Sequence, residues 1–449
     1  MAKIQTKFVC QACGASFSKW LGRCTECGAW NTVSEETVRE RPRGAAAAAR
    51  AVPLSEVEAD RFARVPTGIG ELDRILGGGV VLGGVTLVGG DPGIGKSTLL
   101  LQALAGLASR KLRVLYVSGE ESAGQTAARA RRLGADQNDA HMLLLADTQL
   151  ESVEAAIDEH HPAAIVVDSV QTIRCASLES AAGTVSQLRE VTARITERAK
   201  RDGFAALLVG HVTKDGSLAG PKVLEHLVDT VLSFEGERGH ALRTLRVQKN
   251  RFGSATEVGV FEMRAEGMRE VESPSALFLA ERPRGAPGSV VAATAEGARA
   301  LLVEVQALVG STASGGSPRR TANGVEASRL AMLLAVLERR GGQLIGPYDV
   351  FLNIAGGVRV EEPAVDLAVA LALASSFRAK PIPDDVVVFG EIGLAGEVRG
   401  ASRAAARLAE AAAMGFKRAV GPRSASESTD SGLEVVGVRT LSEALDLFF

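Results

Sequence analysis

Val85-Thr-Leu-Val-Gly-Gly-Asp-Pro-Gly-Ile-Gly-Lys-Ser-Thr98 is the stretch whose reading decides the fold. An apolar run (Val85, Leu87, Val88) enters Gly90-x-x-x-x-Gly95-Lys96-Ser97, and a helical pattern begins at Thr98-Leu99-Leu100. Strand, glycine-rich turn and helix in that order make a phosphate cradle, because the free N–H groups of the helix N-terminus face the anion. Glycines at 90, 93 and 95 let the backbone curl round a phosphate without Cβ clashes. Gly90, Asp91, Pro92, Gly93, Ile94, Gly95, Lys96, Ser97 and Thr98 are therefore the expected nucleotide-binding segment, for ATP or GTP. Lys96 is expected to reach the β- and γ-phosphates, and the Ser97 hydroxyl to ligate Mg²⁺.

Working outward, β and α patterns alternate after this segment. Val114–Ser118 is a strand run ending in Gly119-Glu120-Glu121, Ala163–Val167 is another ending in Asp168-Ser169, and Phe204–Val209 ends in Gly210-His211. Helical patterns lie between them, which implies an α/β fold: a mostly parallel sheet with helices on both faces. Ligands in such sheets sit at the carboxyl ends of the strands, so the polar residues there are the candidates for chemistry. Asp168 is expected to hold Mg²⁺ through water. Glu120 is expected to orient or deprotonate the attacking water, with Glu121 as its rival, and His211 to sense the γ-phosphate. The segments 170–183, with Arg174, and 213–226, with Lys214, Gly216, Gly220 and Lys222, follow these strand ends without strong periodicity. They read either as solvated loops or, in a ring, as loops whose lysines grip a phosphate backbone. Further on, Leu242–Gln248 runs as a strand into Lys249-Asn-Arg-Phe-Gly253, a basic turn suited to reaching a neighbour's nucleotide.

Bulk numbers bound the function. With 449 residues the chain favours two or three domains, and 46% hydrophobic with 23% charged residues gives ample core. Net charge is −2, so any nucleic-acid contact must be local. Aromatics make up 4%, with two Trp and two Tyr, so a nucleic acid would be held mainly through phosphates. No 18-residue apolar stretch and no signal-peptide pattern appears, and the expected location is cytoplasmic, with no membrane partner.

Four of the five cysteines form Cys10-x2-Cys13 and Cys24-x2-Cys27, each pair followed by glycine (Gly14, Gly28). Two such knuckles supply a tetrahedron of thiolates for a structural Zn²⁺, and the metal would supply most of the folding energy of so short a piece. Cys175 stands alone and reads as a small packing residue. The expected domains are 1–33 (zinc module), 34–60 (charged, alanine-rich linker), 61–280 (ATPase) and 285–449.

Taken together, the four cysteines, Gly-Asp-Pro-Gly-Ile-Gly-Lys-Ser-Thr, Tyr116-Val-Ser-Gly-Glu-Glu-Ser122, Val167-Asp-Ser-Val-Gln-Thr172 and Lys249-Asn-Arg-Phe-Gly253 resemble the bacterial RadA (Sms) family across essentially the whole chain. The resemblance implies a RecA-like ATPase core, a homohexameric ring, and ATP hydrolysis stimulated by single-stranded DNA. It also implies work on branched recombination intermediates beside the RecA recombinase, extending heteroduplex and driving branch migration. In that family the last motif serves DNA-linked function, which carries over to Lys249 and Arg251. Residues 285–449 look like the Lon protease domain that the same family carries. Lon's Gly-Pro-Ser-Ala-Gly is here Glu362-Pro363-Ala364-Val365-Asp366, and its catalytic lysine maps to about Ala405, after Gly390-Glu391-Ile392-Gly393-Leu394-Ala395-Gly396. Alanine offers no nucleophile and no base, so the expectation is a proteolytically inactive scaffold. The competing readings are an ATP-dependent unfoldase or protease ring of the Lon type and an ATP-switched scaffold of the KaiC type. The missing Ser–Lys pair counts against the first, and the second gives no reason for the zinc module and the Lys-Asn-Arg-Phe-Gly turn.

Overall fold

The computed structural model describes residues 4–12, 14–39, 53, 63–135, 140–211, 223–236, 242–296, 299–312, 316–427 and 432–449. Cys13, most of the expected linker, and Lys214, Gly216, Gly220 and Lys222 lie outside the described residues. Backbone packing divides the chain into two compact units, Met1–Glu235 with Arg243–Glu270, and Gly236–Leu242 with Val271–Phe449.

The first unit begins with an antiparallel sheet of β1 (Ile4–Cys10), β2 (Ser16–Phe17) and β3 (Val33–Arg39), in the order β2-β1-β3. A two-stranded ribbon, β4 (Arg64–Val65) and β5 (Val80–Val81), brackets α1 (Gly70–Ile75). The composition of Pro66-Thr67-Gly68-Ile69-Gly70-Glu71-Leu72-Asp73 has a local purpose. Asp73 turns back, accepting hydrogen bonds from the Thr67 N–H (2.7 Å) and hydroxyl (2.8 Å) and from the Gly68 N–H (3.1 Å). That loop lies so close to the helix beneath it that a Cβ on Gly106 would sit 1.7 Å from the Thr67 carbonyl oxygen.

The main sheet contains β6 (Val85–Gly90), β7 (Val114–Ser118), β8 (Met142–Leu145), β9 (Ala164–Asp168), β10 (Ala205–Val209), β11 (Thr230–Glu235), β12 (Leu242–Asn250), β13 (Val258–Arg264) and β14 (Gly267–Glu270). Their order is β14-β13-β12-β11-β6-β10-β9-β7-β8. Strands β6 to β11 pair in parallel, whereas β12 pairs antiparallel with β11, and β14 antiparallel with β13. The helices are α2 (Lys96–Ser109), α3 (Ala123–Arg132), α4 (Leu150–His160), α5 (Val185–Asp202) and α6 (Val223–Leu227).

Strand periodicity explains why both faces are covered. Side chains alternate across a strand, and the buried residues sort accordingly. Val88, Tyr116, Val166 and Leu207 pack with Leu99, Leu100 and Leu104 of α2. Their neighbours Leu87, Leu115, Val117, Ile165, Val167 and Leu208 pack on the other side, with Val153 and Ile157 of α4 and Leu188, Val191 and Ile195 of α5. A strand buried on both faces reads as an unbroken apolar run, as these do.

In the second unit, β15 (Ser289–Glu296), β16 (Arg299–Ser311), β17 (Arg320–Asn323), β18 (Tyr348–Ile354), β19 (Val386–Val388), β22 (Arg418–Pro422) and β23 (Glu434–Val438) form a mixed sheet in the order β17-β18-β16-β15-β19-β22-β23. A small hairpin, β20 (Glu391–Ile392) and β21 (Val398–Arg399), follows β19. Helices α7 (Pro274–Leu279), α8 (Ala327–Gly341), α9 (Asp366–Arg378), α10 (Ala404–Ala413) and α11 (Leu441–Asp446) complete it. Residues Asp366 to Ser375 of α9 are all buried, as a helix apolar on every side must be. No helix among the described residues is long and apolar enough to cross a membrane.

Candidate active site

The P-loop sits at the carboxyl end of β6. Gly95 is the N-cap of α2 at φ +116°, a left-handed conformation that disfavours any side chain. Space enforces the same choice, since a Cβ there would meet the Met268 Cε at 2.4 Å and the Met263 Cε at 2.6 Å. Ile94 is buried in the core beneath the loop and anchors it. Lys96, 4% exposed, folds back so that Nζ donates to the carbonyls of Gly90 (2.7 Å) and Asp91 (2.9 Å). Burial pushes its ammonium below the usual lysine range, with the charges of Asp168, Glu120 and Asp91 pulling the other way.

Three strand ends converge on the same cavity, of about 480 Å³, within the size range of small-ligand sites. Pro92, Gly93, Gly95, Lys96, Ser97 and Thr98 form one wall, and Glu120, Glu121, Asp168 and His211 face them. The Gly119 N–H donates to the Asp168 carbonyl (2.8 Å), which locks the ends of β7 and β9 together. One Glu120 carboxylate oxygen, Oε1, accepts from the Ser169 hydroxyl and lies 2.7 Å from His211 Nε2, while His211 Nδ1 lies 3.5 Å from Lys96 Nζ. Burial pushes the Glu120 carboxyl up. The hydrogen bonds from Ser169 and His211 and the charges of His211 and Lys96 outweigh it and hold the group below the usual carboxylate range. Glu120, His211 and Lys96 thus form one polar chain.

Glu121 is differently engaged. Its carboxylate pairs with Arg129, and its backbone carbonyl accepts from the Ser118 hydroxyl (2.8 Å). Ser122 caps α3 through a capping box with Gln125, which fixes where this turn hands over to helix. On the β9 side, the Tyr116 hydroxyl donates to Asp168 Oδ2 at 2.5 Å, and burial followed by the Asp168 charge pushes the phenol above its usual range. The donor set suits a magnesium nucleotide: Ser97 and Asp168 would hold Mg²⁺, a Lewis acid at the phosphates, and Lys96 would meet the phosphate charge.

Lys249 and Arg251 are elsewhere. Asp229, buried at the head of β11, donates its N–H to the Val85 carbonyl (2.9 Å) and accepts from the Val85 N–H (3.2 Å) and Arg251 Nη1 (3.0 Å). Lys249 Nζ donates to the carbonyls of Glu225 (2.5 Å) and Val228 (2.8 Å), at the end of α6. Val85 opens β6 and Gly90 closes it, so this turn lies roughly 16 Å along the strands from its own P-loop. From there the two residues do not reach the nucleotide cavity of their own chain.

Sequence reasoning missed several lining groups. The β13–β14 hairpin brings Met263, Arg264, Ala265 and Gly267 to the cavity, and α3 brings Arg129 and Arg132. The only local signals were the cation cluster Arg129, Arg131, Arg132 and a hydroxyl, Tyr116, inside an apolar run. Of the loop 170–183, Val170, Ile173 and Cys175 are buried while Arg174 is exposed. Cys175 packs in the core, its N–H bonded to Gln187 Oε1 (2.8 Å) and its sulfur 2.9 Å from Arg194 Nη1.

The cysteine knuckles repeat one another. Gly14 N–H donates to the Cys10 carbonyl (2.8 Å) and Gly28 N–H to the Cys24 carbonyl (2.9 Å), with both glycines in the left-handed region (φ +75° and +74°). The sulfurs of Cys10, Cys24 and Cys27 lie within 4.8 Å of one another. The Cys10–Cys27 separation of 3.8 Å matches the edge of a ZnS₄ tetrahedron, ~3.8 Å for Zn–S bonds of ~2.3 Å. These residues fit zinc.

In the second unit, Ala364 is buried in the 3-10 turn Pro363–Val365 that leads into α9, and Ala405 lies exposed on α10. Two residues beyond Ala405, the fully buried Arg407 pairs with Glu362 and donates to the Ala293 carbonyl (2.6 Å).

Comparisons with known proteins agree with this layout. Family models match in three places: a rubredoxin metal binding domain over residues 8–35, an AAA domain over 50–217, and subunit ChlI of Mg-chelatase over 330–425. The chain is 50% identical to the DNA repair protein RadA of Pseudomonas aeruginosa, covering all of both chains. It is 49% identical to that of Bacillus subtilis, covering 99% of each, and 48% identical to that of Listeria monocytogenes, covering 99% of this chain and 98% of the relative.

Proposed function

The chain belongs to the RadA family of DNA repair proteins, and from that premise we propose that it is a DNA-dependent ATPase that drives branch migration and heteroduplex extension on recombination intermediates. It is an ATP-hydrolysing DNA repair protein with an N-terminal zinc ribbon and a C-terminal Lon-like domain.

In this reading Lys96 and the α2 N-terminus bind the phosphates, Ser97 and Asp168 hold Mg²⁺, and Glu120 takes the proton of the attacking water. His211 holds the Glu120 carboxylate in place and, through Lys96, registers the γ-phosphate. Lys249 and Arg251 act on the nucleotide of the adjacent subunit in a homohexamer, or on DNA as that nucleotide turns over. The further partners are single-stranded and branched DNA and the RecA recombinase, in the cytoplasm.

One observation carries the coupling. Asp229 ties the basic turn to the strand that ends in the P-loop: it exchanges hydrogen bonds with Val85 at the start of β6 and accepts from Arg251, while Lys249 holds the end of α6. A movement of β6, whose carboxyl end carries the P-loop, would therefore reach the basic turn through Asp229. The test is ATP hydrolysis by the pure protein with and without single-stranded DNA. Acceleration by DNA that is lost in Lys249→Ala and Arg251→Ala, with nucleotide binding kept, supports the reading. An equal rate with and without DNA refutes it.

A further inference from the structure

We propose that Tyr116 is a positioning residue for the metal site: its hydroxyl fixes Asp168 in the orientation that receives the hydrated Mg²⁺ of the nucleotide. The inference rests on the reading of Asp168 as the magnesium carboxylate.

Tyr116 and Asp168 stand on adjacent parallel strands, where Tyr116 pairs with Val166 and Ser118 with Asp168. The phenol therefore comes from one residue pair further back and reaches forward to Oδ2 at 2.5 Å. A phenol donating to a carboxylate makes a charge-assisted hydrogen bond, about twice as strong as a neutral one. Both partners are buried, Tyr116 at 2% exposure and Asp168 at 7%, so the bond is shielded from bulk solvent. The bond uses Oδ2 and leaves Oδ1 for the cavity that Lys96, Ser97 and Glu120 line. A carboxylate with one oxygen held by a buried donor presents the other at a fixed angle. Hydrogen bonds of this kind to a ligating carboxylate are worth 10–100-fold in metal affinity.

Ring and hydroxyl have separable roles. The ring packs with Leu101, Ala127, Ala130 and Met142 around a second, more apolar cavity beside β8. Truncation to alanine would enlarge that cavity and confuse packing with positioning, whereas phenylalanine keeps the ring and removes only the donor.

The experiment measures Mn²⁺ binding by electron paramagnetic resonance in full-length protein loaded with a non-hydrolysable ATP analogue. Metal-free analogue affinity and thermal melting are recorded alongside. Tyr116→Phe should weaken Mn²⁺ about 10-fold, the low end for a carboxylate acting through water, and leave metal-free analogue affinity within about 2-fold. Unchanged Mn²⁺ affinity in Tyr116→Phe, where Asp168→Asn does lower it, overturns the role of Tyr116 alone. Unchanged affinity in Asp168→Asn removes the magnesium reading and this inference with it. A second measurement needs no substitution at Tyr116. The chain holds two tyrosines, Tyr116 and Tyr348, so 3-fluorotyrosine labelling gives two ¹⁹F resonances, assigned with Tyr348→Phe. Adding Mg²⁺ to the analogue-loaded protein should shift the Tyr116 resonance and leave that of Tyr348 in place. A Tyr116 resonance indifferent to Mg²⁺ overturns the proposal.

Discussion

Replacing Glu120 with glutamine separates geometry from basicity at the proposed catalytic carboxylate. Glu120 Oε1 accepts from Ser169 and lies 2.7 Å from His211 Nε2. The glutamine carbonyl can keep those contacts but cannot accept the proton of the attacking water. Loss of a general base costs about 10²–10⁴ in turnover, or roughly 3–5 kcal/mol of barrier. Affinity for a fluorescent ATP analogue should stay within about 2-fold, because Lys96 keeps its own bonds to Gly90 and Asp91. Glu121→Gln is the internal control. Its carboxylate is already committed to Arg129, so turnover should stay within about 3-fold, the scale of a part-exposed ion pair.

The pH profile adds a second dimension. The Glu120 carboxyl lies below its ordinary value of 4.5 because Ser169 and His211 outweigh burial. The ionised form is the active one, so hydrolysis is complete above that pKa and falls as pH drops through it. His211→Ala removes one hydrogen bond and one charge, leaves burial in place, and should move the acid limb to higher pH. Turnover of Glu120→Gln within tenfold of wild type would refute the assignment. So would an acid limb that stays put or moves down in His211→Ala.

Other outcomes follow from the same contacts. Cys24→Ser removes one of the sulfurs clustered with Cys10 and Cys27. Bound zinc should fall below about a tenth of an equivalent by elemental analysis, with local loss of amide protection over 10–27 while the ATPase core melts normally. Arg407→Leu strands the Glu362 carboxylate beside a fully buried site. Calorimetry should show the second unit destabilised by about 3–5 kcal/mol, with the first unchanged. Asp229→Asn weakens the anchor of Arg251, and DNA-stimulated hydrolysis should fall several-fold while basal hydrolysis holds. The wild-type protein, incubated with ATP and casein, should release no peptide, because Ala364 and Ala405 supply neither nucleophile nor base.

Much of this was legible in the chain because its signals are local. The P-loop, each carboxylate at the end of its apolar strand run, and the paired knuckles are all read from windows of fewer than about twenty residues. Doubly buried strands announced themselves as unbroken apolar runs. What was hidden depends on distant pairing. The β13–β14 hairpin reaches the P-loop from more than 160 residues away, and only the fold shows that Met263 and Met268 crowd Gly95. The edge strand β17 is four residues long and polar, so it carries no apolar alternation to read. The engagement of Lys249 with carbonyls of its own chain was also invisible, since a lysine after a strand looks the same whether it caps a helix or faces solvent.

The most direct measurement of the central claim is the movement of a labelled three-strand DNA branch with ATP, followed against its spontaneous rate. The account predicts ATP-dependent movement by the wild-type protein, none by Lys96→Ala, and none beyond the spontaneous rate by Arg251→Ala, although both variants remain folded. Branch movement at the spontaneous rate in the presence of wild-type protein and ATP would contradict it.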